Sequence, residues 1–319
     1  MAAGARPEFS ELPVQEGAPP GSSWGVFGEA DELGTLNFIG PEQVRSAGEL
    51  IRTGRVFALN WDVALPAPPF FMRQAPNHTI FEKFDGVVLD DWLDSFFLQG
   101  STQWDGLRHF SDAEYGWYGG ATKDDVGAAG PGRLGIEHFA RRGIAARGVV
   151  LDVVRSVERE GRELDPFDFF PIGPELLEKV AEEQRVELRT GDVLLVRTGW
   201  VEAYERLVPE EREELATAGR PGSPGLYGDD LPAFLWNRGI AAVAADNPAL
   251  EAAHRVTGSD LSLHRALLAR LGMPLGELWV LGPLAADCTA DGVYECFLTS
   301  APLNVGGGAG SPANALAIK

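Results

Sequence analysis

The chain has 319 residues, enough for one large domain or two ordinary ones, and 45% of them are hydrophobic against 23% charged, as in a globular protein with a core. The net charge of −20 disfavours binding to a nucleic-acid backbone, and no apolar run approaches the roughly 20 residues of a membrane helix. Cys288 and Cys296 fit neither a disulfide framework nor a zinc ribbon, so we expect reduced thiols in a cytoplasmic protein. We also expect the protein to bind a small molecule.

The start of the chain and two later stretches predict irregular structure. Residues 1–22 lack the basic start and apolar core of a secretory signal, and we expect a surface arm there. Residues 119–133 and 217–230 are rich in glycine and polar residues and predict mobile loops or lids. Because no repeat and no linker divides the chain, we expect residues 1–319 to form a single domain.

Apolar patterns predict both strands and helices. Four near-continuous apolar runs predict strands covered on both faces, at 56–60, 148–155, 192–200 and 240–247. Three further patterns predict helices, at 41–51, 174–184 and 260–272, the last with an amphipathic stripe closed by Gly272. Strands mixed with helices predict an α/β fold.

Residues 98–110, LQGSTQWDGLRHF, hold a short cluster of groups that can bind a metal or move a proton. In a strand, residues two apart share a face, so Gln99, Gln103 and Asp105 would line one side, with His109 following a turn. Their oxygen atoms can converge on a cation. The polar face of an edge strand would give the same pattern. The FFL run before the cluster and Trp104 within it favour a buried strand, whose polar groups need partners.

The chain has five histidines, and their settings differ. His138 lies in an ordinary helix pattern and is predicted to be structural, whereas His78 and His254 have no assigned role. His264 stands near the start of the last predicted helix and Glu277 follows that helix. The two can meet in space, although this spacing alone is a weak signal.

Taken together, these residues resemble the metal-dependent cyclase family, which includes bacterial kynurenine formamidase and isatin hydrolase. The family hallmark is H-x-G-T-H-x-D-x-P-x-H, its larger members look like H-G-S-T-H-W-D-x-x-x-H, and here residues 99–109 read QGSTQWDGLRH. Segments such as WGVFGEADELGTLNFI, GDVLLVRTGW and CTADGVYECFLTSAPL follow in the family's order over nearly the whole chain. The resemblance implies a compact swivelling β/β/α fold with a mixed central sheet, assembled as a homodimer or homotetramer.

The resemblance also implies roles for single residues. Asp105 matches the carboxylate that binds the metal, and Glu277 matches the late acidic ligand. His264 matches the late histidine, which is a ligand or a base, and His109 matches the histidine that transfers a proton. These residues imply hydrolysis of an amide, lactam or lactone by a metal-activated water.

Two positions depart from the family pattern. Gln99 and Gln103 stand where the family has its first two histidine ligands. An amide oxygen is a harder ligand than imidazole, and the resulting oxygen-rich set favours manganese or magnesium over zinc. We expect one divalent metal per chain, manganese first, with zinc or magnesium as alternatives.

Aromatic residues near these positions can clamp a planar ring, with core packing as the alternative for each: Trp24, Phe27, Phe70, Phe71, Trp104 and Trp117. Trp24 and Phe27 lie in a segment that resembles the family's substrate-side arm. With Trp104, they are the predicted pocket residues.

Three functions follow. The first is a metal-dependent hydrolase of a lactam, a lactone or an N-acyl aromatic amide. The second is a cyclase or dehydratase of secondary metabolism that uses the same metal to stabilise an enolate. The third is a metal-poor binding protein without catalysis, which the two glutamines make worth considering.

Overall fold

The computed structural model describes residues 6–127, 130, 132–217, 221–255 and 260–319. The strands in these ranges are β1 (Val56–Ala58), β2 (Asn77–Lys83), β3 (Val88–Asp94), β4 (Gln103–Asp105), β5 (Ile144–Asp152), β6 (Phe170–Ile172), β7 (Val193–Arg197), β8 (Pro224–Leu226), β9 (Ala242–Ala245), β10 (Leu275–Glu277), β11 (Glu295–Ser300), β12 (Gly310–Pro312) and β13 (Ala315–Ile318). Strands and helices are mixed along the chain, as the sequence predicts.

The α-helices in the same ranges are short. They are α1 (Pro41–Gly48), α2 (Lys123–Val126), α3 (Glu137–Arg142), α4 (Val153–Arg159), α5 (Pro174–Gln184), α6 (Trp200–Glu205), α7 (Pro209–Thr217), α8 (Leu231–Asn237), α9 (Ser262–His264) and α10 (Gly282–Asp291). A π-helical segment, Arg265–Leu271, continues α9, and 3₁₀ turns lie at Phe9–Glu11, Gly34–Phe38 and Tyr118–Gly120. In the described part of the chain, no helix has the length and apolar character needed to cross a bilayer.

A mixed nine-stranded sheet forms the centre of the fold, in the order β1-β13-β11-β5-β7-β9-β10-β4-β12. Neighbouring strands from β5 through β7 and β9 to β10 are parallel, and the strands on both sides of this block pair antiparallel. Every residue of β9 is buried, as expected for a strand covered on both faces. The two smaller sheets are β2-β3 and β6-β8. The predicted α/β class with a mixed central sheet is confirmed.

The structure refines the ends of several predicted elements. The predicted strand 148–155 stops at Asp152, because the Asp152 side chain accepts a hydrogen bond from the Arg155 backbone N at 3.1 Å and caps α4. The predicted helix 260–272 begins at Ser262, widens into the π-helical segment and ends at Gly272, whose φ of +66° suits glycine.

The predicted arm and loops are partly regular. The arm lies along α8, where Arg6 Nη2 donates to the Asn237 carbonyl at 2.6 Å and the Phe9 backbone N donates to Asn237 Oδ1 at 2.7 Å. The loop predicted at 119–133 contains α2, and the loop predicted at 217–230 contains β8. Positions 1–5, 128, 129, 131 and 218–220 lie outside the described residues, and the mobility of both loops stays a prediction.

Strand β4 carries the centre of the 98–110 cluster into the sheet. It pairs antiparallel with β10 on one side and with β12 on the other, and all three of its residues are buried. The buried strand is therefore present and the edge-strand alternative is excluded. The strand begins only at Gln103, however, and Gln99 lies in the turn before it.

Candidate metal centre

Side chains from two strands and one helix meet beside β4. Asp105, His264 and Glu277 each offer a ligand atom, and these atoms all lie within 4.8 Å of one another. Gln103 and Asp105 share a face of β4 because they are two residues apart. The antiparallel register places Glu277 directly opposite Gln103 and Leu275 opposite Asp105. The strand register thus brings the two predicted carboxylate ligands together, and α9 adds His264.

Three buried oxygen atoms in this group have no hydrogen-bond partner among the described residues. Gln103 donates its Nε2 to Glu277 Oε2 at 2.5 Å, which leaves Gln103 Oε1 unpaired. Both carboxylate oxygens of Asp105 are also unpaired. Buried oxygen atoms without partners are costly, and a divalent cation satisfies carboxylate and amide oxygens together. The residues present therefore fit a metal ion.

A second carboxylate holds His264 from the opposite side. Glu251 Oε1 accepts from the His264 backbone N at 2.8 Å and lies 2.6 Å from Nδ1 of its ring. Nε2 of the ring points toward the cluster, 3.2 Å from Glu277 Oε1. A carboxylate behind a histidine is the usual support of a metal-ligating imidazole, because it fixes the tautomer and the orientation of the ring. Glu251 is a site residue that the sequence did not predict.

The carboxylates at this site stabilise a positive charge placed between them. Burial opposes a charged imidazole, yet hydrogen bonds to Glu251 and Glu277 raise the pKa of His264 to about 10. Burial and the neighbouring Asp105 raise the pKa of Glu277, an effect that His264 offsets in part. Carboxylates that stabilise a proton on His264 would stabilise a divalent cation in the same place.

His109 lies beside the cluster at the end of the 98–110 stretch. A turn closed by its backbone N and the Gly106 carbonyl, 2.9 Å apart, places its Nε2 3.6 Å from Asp105 Oδ2. Its side chain is 27% exposed, so it touches both the cluster and solvent. Gln99 Nε2 lies 3.4 Å from His109 Nδ1. The structure thus places Gln99 against the predicted proton-transfer residue, and its assignment as a metal ligand stays a prediction.

The cluster forms the floor of a cavity of about 150 Å³. An apolar cavity of this size holds a benzene-sized ring. The residues that line it away from the floor are mainly apolar and include Phe71, Phe110, Pro248, Ala249 and Leu261. Among the described residues that line the cavity, Arg73 is the one with a lysine or arginine side chain. The cavity therefore has a polar floor and an apolar wall, and the Arg73 guanidinium is part of that wall.

The predicted pocket aromatics lie elsewhere. Trp104 is fully buried on the face of β4 opposite Gln103 and Asp105, because successive strand residues point to opposite faces. Its ring centre is 4.8 Å from that of Trp279, and its Nε1 donates to Ser300 Oγ at 2.9 Å. The prediction that Trp104 lines the pocket is therefore wrong.

Trp24 and Phe27 also lie away from the cavity of their own chain. Trp24 donates its Nε1 to the Ala269 carbonyl at 2.9 Å and packs against the π-helical segment. The Phe27 ring packs edge-on against Phe38, with 5.3 Å between ring centres. Both rings serve core packing, which was the alternative for each. Of the wider aromatic set, Phe71 is the one that contacts the cavity.

The remaining histidines lie outside the cluster. His138 is on α3, as predicted, with its Nε2 3.8 Å from Glu32 Oε2. His78 lies on β2, where its Nε2 is 2.7 Å from Asp91 Oδ2. The His254 ring stacks on Phe169, with 4.1 Å between ring centres.

Comparison with known proteins assigns the chain to a family. Residues 51–252 match the model of the Cyclase family, described as "Putative cyclase". A crystal structure described as that of a novel cyclase is 35% identical, with a TM-score of 0.83 over 93% of this chain and 99% of that chain. The chain belongs to the cyclase family. The resemblance seen in the sequence is thereby confirmed.

Other members of this cyclase fold are more distant. Isatin hydrolase A from Labrenzia aggregata is 16% identical, with a TM-score of 0.57 over 86% of this chain and 97% of that chain. Isatin hydrolase A from Ralstonia solanacearum is 15% identical, with a TM-score of 0.58 over 88% of this chain and 98% of that chain. At these identities the likeness concerns the fold. A search of curated proteins finds no match.

Proposed function

We propose that this cyclase-family protein is a metal-dependent hydrolase of a cyclic amide or ester, or of an N-acyl aromatic amide. The observation that carries the proposal is the floor of the cavity, where Asp105, Glu277 and His264 meet and neither carboxylate oxygen of Asp105 has a hydrogen bond among the described residues. The apolar wall suits a ring, and His109 lies next to the floor. The isatin hydrolases that share the fold are named for the hydrolysis of a cyclic amide.

We further propose one divalent cation per chain, held by Gln103, Asp105, Glu277 and His264. This donor set is three oxygens and one nitrogen, which favours manganese or magnesium over zinc. A cation bound there would act as a Lewis acid toward a carbonyl and lower the pKa of a water. A metal-free binding site is disfavoured, because the buried Asp105 carboxylate would then have no hydrogen bond among the described residues and only long ion pairs to His109 and His264, at 3.6 and 3.8 Å.

The side chains around the cation site divide the remaining work. His109 is the general base and acid: it takes a proton from the attacking water and returns it to the leaving nitrogen or oxygen. Gln99 orients the His109 ring through Nδ1. His264 serves as a ligand rather than as a base, since Glu251 occupies its Nδ1 and Nε2 points into the cluster. The apolar wall limits the access of bulk water.

Metal content and turnover test the proposal together. Untagged protein purified without chelators should carry about one manganese, magnesium or zinc per chain by elemental mass spectrometry. Asp105→Asn should lower this content strongly. His109→Ala should keep the metal and lose about 10²- to 10⁴-fold in turnover of lactam, lactone and aryl-amide substrates. His138→Ala is the matched control, because its imidazole lies outside the cluster.

Each outcome separates the functions considered. Wild-type protein that binds none of these metals after reconstitution would contradict the proposal and favour a binding protein without catalysis. Solvent oxygen-18 should enter the product once per bond cleaved. A metal-dependent reaction without that incorporation would instead indicate ring closure or dehydration.

A further inference from the structure

The cavity wall carries a cation that the proposed reaction has not used. Arg73 lines the cavity, and its guanidinium lies 5.1 Å from the centre of the Phe71 ring, which also lines it. Its Nη1 donates to the Gln99 carbonyl. The described residues give Arg73 no carboxylate within ion-pair distance. A guanidinium has five N–H donors, so most of them remain available to a ligand.

The backbone before Arg73 is held in an unusual conformation. Phe71 and Met72 both have positive φ, 57° and 58°, a region that residues other than glycine rarely adopt. Met72 is 99% exposed, while its neighbours Phe71 and Arg73 both face the cavity. Two such residues in a row persist only where the surrounding structure fixes them, and they are common at ligand sites. The turn at Phe71 and Met72 therefore brings the Phe71 ring and the Arg73 guanidinium to the same cavity.

The floor and the wall recognise different groups. Glu277 on the floor accepts from Gln103, and Glu251 behind the floor accepts from His264. Asp105 faces the cation site. Arg73 and Glu277 both line this one cavity, so a ligand that fills it can contact the wall and the floor together. A planar guanidinium that lacks an acidic partner is suited to a carboxylate, which it can bind through two parallel hydrogen bonds.

We propose that Arg73 binds the carboxylate of an aryl or cyclic ligand whose ring lies against Phe71 and the apolar wall. The inference takes from the proposed hydrolase only the amide or ester bond that is cleaved. It narrows the substrates to ring compounds that carry or release a carboxylate. The carboxylate comes either from the substrate itself or from the acyl group that hydrolysis releases. Both sources present the same chemistry to Arg73.

Binding of benzoate tests the proposal without turnover. We expect calorimetry on manganese-loaded protein to show benzoate binding that Arg73→Met weakens by about 10- to 100-fold, the effect of losing a charged hydrogen-bonded pair. Benzamide, which has the same ring and no charge, should bind equally to both proteins. The benzoate difference should persist after chelation, which removes any contribution from carboxylate binding to the metal.

Controls keep the test decisive. Arg45→Met removes an arginine on the exposed face of α1 and should leave benzoate affinity unchanged. If Arg73→Met does not fold, Arg73→Lys replaces it, and we expect a loss of at least fivefold because lysine keeps the charge without the planar fork. Equal benzoate affinity in the wild type and in a folded Arg73 variant would overturn the proposal.

Hydrolysis of two esters then identifies the source of the carboxylate. If the substrate's own carboxylate is bound, Arg73→Met should raise the KM for 4-acetoxybenzoate and leave phenyl acetate unchanged. If only a released aryl acid is bound, the same variant should leave both KM values unchanged and relieve product inhibition in the hydrolysis of phenyl benzoate, which releases benzoate. Absence of turnover on either ester would count against the proposed hydrolase, while the benzoate measurement would still decide the role of Arg73.

Discussion

At the residue scale, the candidate site combines side chains from regular elements with side chains from irregular segments. Asp105 and Gln103 share a strand face, and His264 and Glu277 border one helix, so their patterns were visible in the sequence. Glu251 and Arg73 come from irregular segments that reach the site only through the tertiary fold. No spacing rule ties either residue to the cluster. Trp104 differs, because strand alternation already places it on the face opposite Gln103 and Asp105, so its assignment to the pocket went against the pattern.

Glu251 gives a prediction at this scale. We expect Glu251→Ala to weaken manganese binding by about 10- to 100-fold, because the His264 ring loses the carboxylate that fixes its tautomer and orientation. Glu251→Gln should restore part of the affinity, since its amide oxygen can still accept from the ring. Manganese titrations followed by electron paramagnetic resonance give both affinities and the symmetry of the ligand environment around the bound ion.

The matched control for Glu251 is Glu187→Ala, which removes a carboxylate with 78% of its side chain exposed. It should bind manganese as the wild type does. An unchanged manganese affinity in Glu251→Ala would show that the carboxylate does not support the ligand.

At the element scale, strand ends depend on capping contacts that a pattern of apolar residues does not contain. The predicted strand 192–200 gives way to α6 because Asp246, at the end of β9, accepts hydrogen bonds from Thr198 and Gly199. The predicted strand 148–155 likewise ends at the Asp152 cap. Apolar runs therefore predicted where the strands lie, while side chains distant in sequence decided where some of them stop.

Asp246 gives a prediction at this scale. Burial and repulsion from Glu202 raise the pKa of Asp246 to about 7, whereas an unfolded aspartate titrates near 3.9. The folded state binds the extra proton between these values, so the contribution of Asp246 to stability is present below about pH 4 and is lost as the pH rises through 7. The free energy of unfolding of the wild type minus that of Asp246→Asn should therefore fall between about pH 4 and 7.

Denaturant unfolding at a series of pH values measures this difference. The exposed Asp85→Asn serves as the control and should give a difference that does not change over the range. Parallel pH profiles for the wild type and Asp246→Asn would contradict a raised pKa in the folded state.

At the scale of the whole molecule, family membership and the α/β sheet were predictable because motifs occur in order along the chain. The order of strands in the sheet was not, since it depends on pairings between segments far apart in sequence. Among the described residues, β2 and β3 pair with each other and with no strand of the central sheet. Ile80, Leu89 and Leu93 share one face of this hairpin and are 60%, 64% and 39% exposed.

This hairpin face gives a prediction about assembly. A lone two-stranded hairpin is marginally stable in water, and exposed apolar side chains of this kind favour association. We expect the protein to form the homodimer or homotetramer that family resemblance implies, with the face of Ile80, Leu89 and Leu93 buried on association. The double variant Ile80→Glu, Leu89→Glu should shift the protein toward monomer in size-exclusion chromatography with light scattering.

Val208→Glu is the control for this prediction, because Val208 is 52% exposed outside the hairpin. It should keep the wild-type mass. A wild type that is monomeric at micromolar concentration, or a double variant that keeps the wild-type mass, would contradict the prediction.

The position of the hairpin in the chain has a further consequence. The chain leaves the cavity wall at Arg73, forms both strands of the hairpin, and returns at Gln99, whose side chain contacts His109 and whose carbonyl accepts from Arg73. Both roots of the hairpin are thus site residues joined to each other. If association buries the hairpin as predicted, we expect a bound partner to shift Arg73 and Gln99 and so to couple association to ligand binding at the cavity.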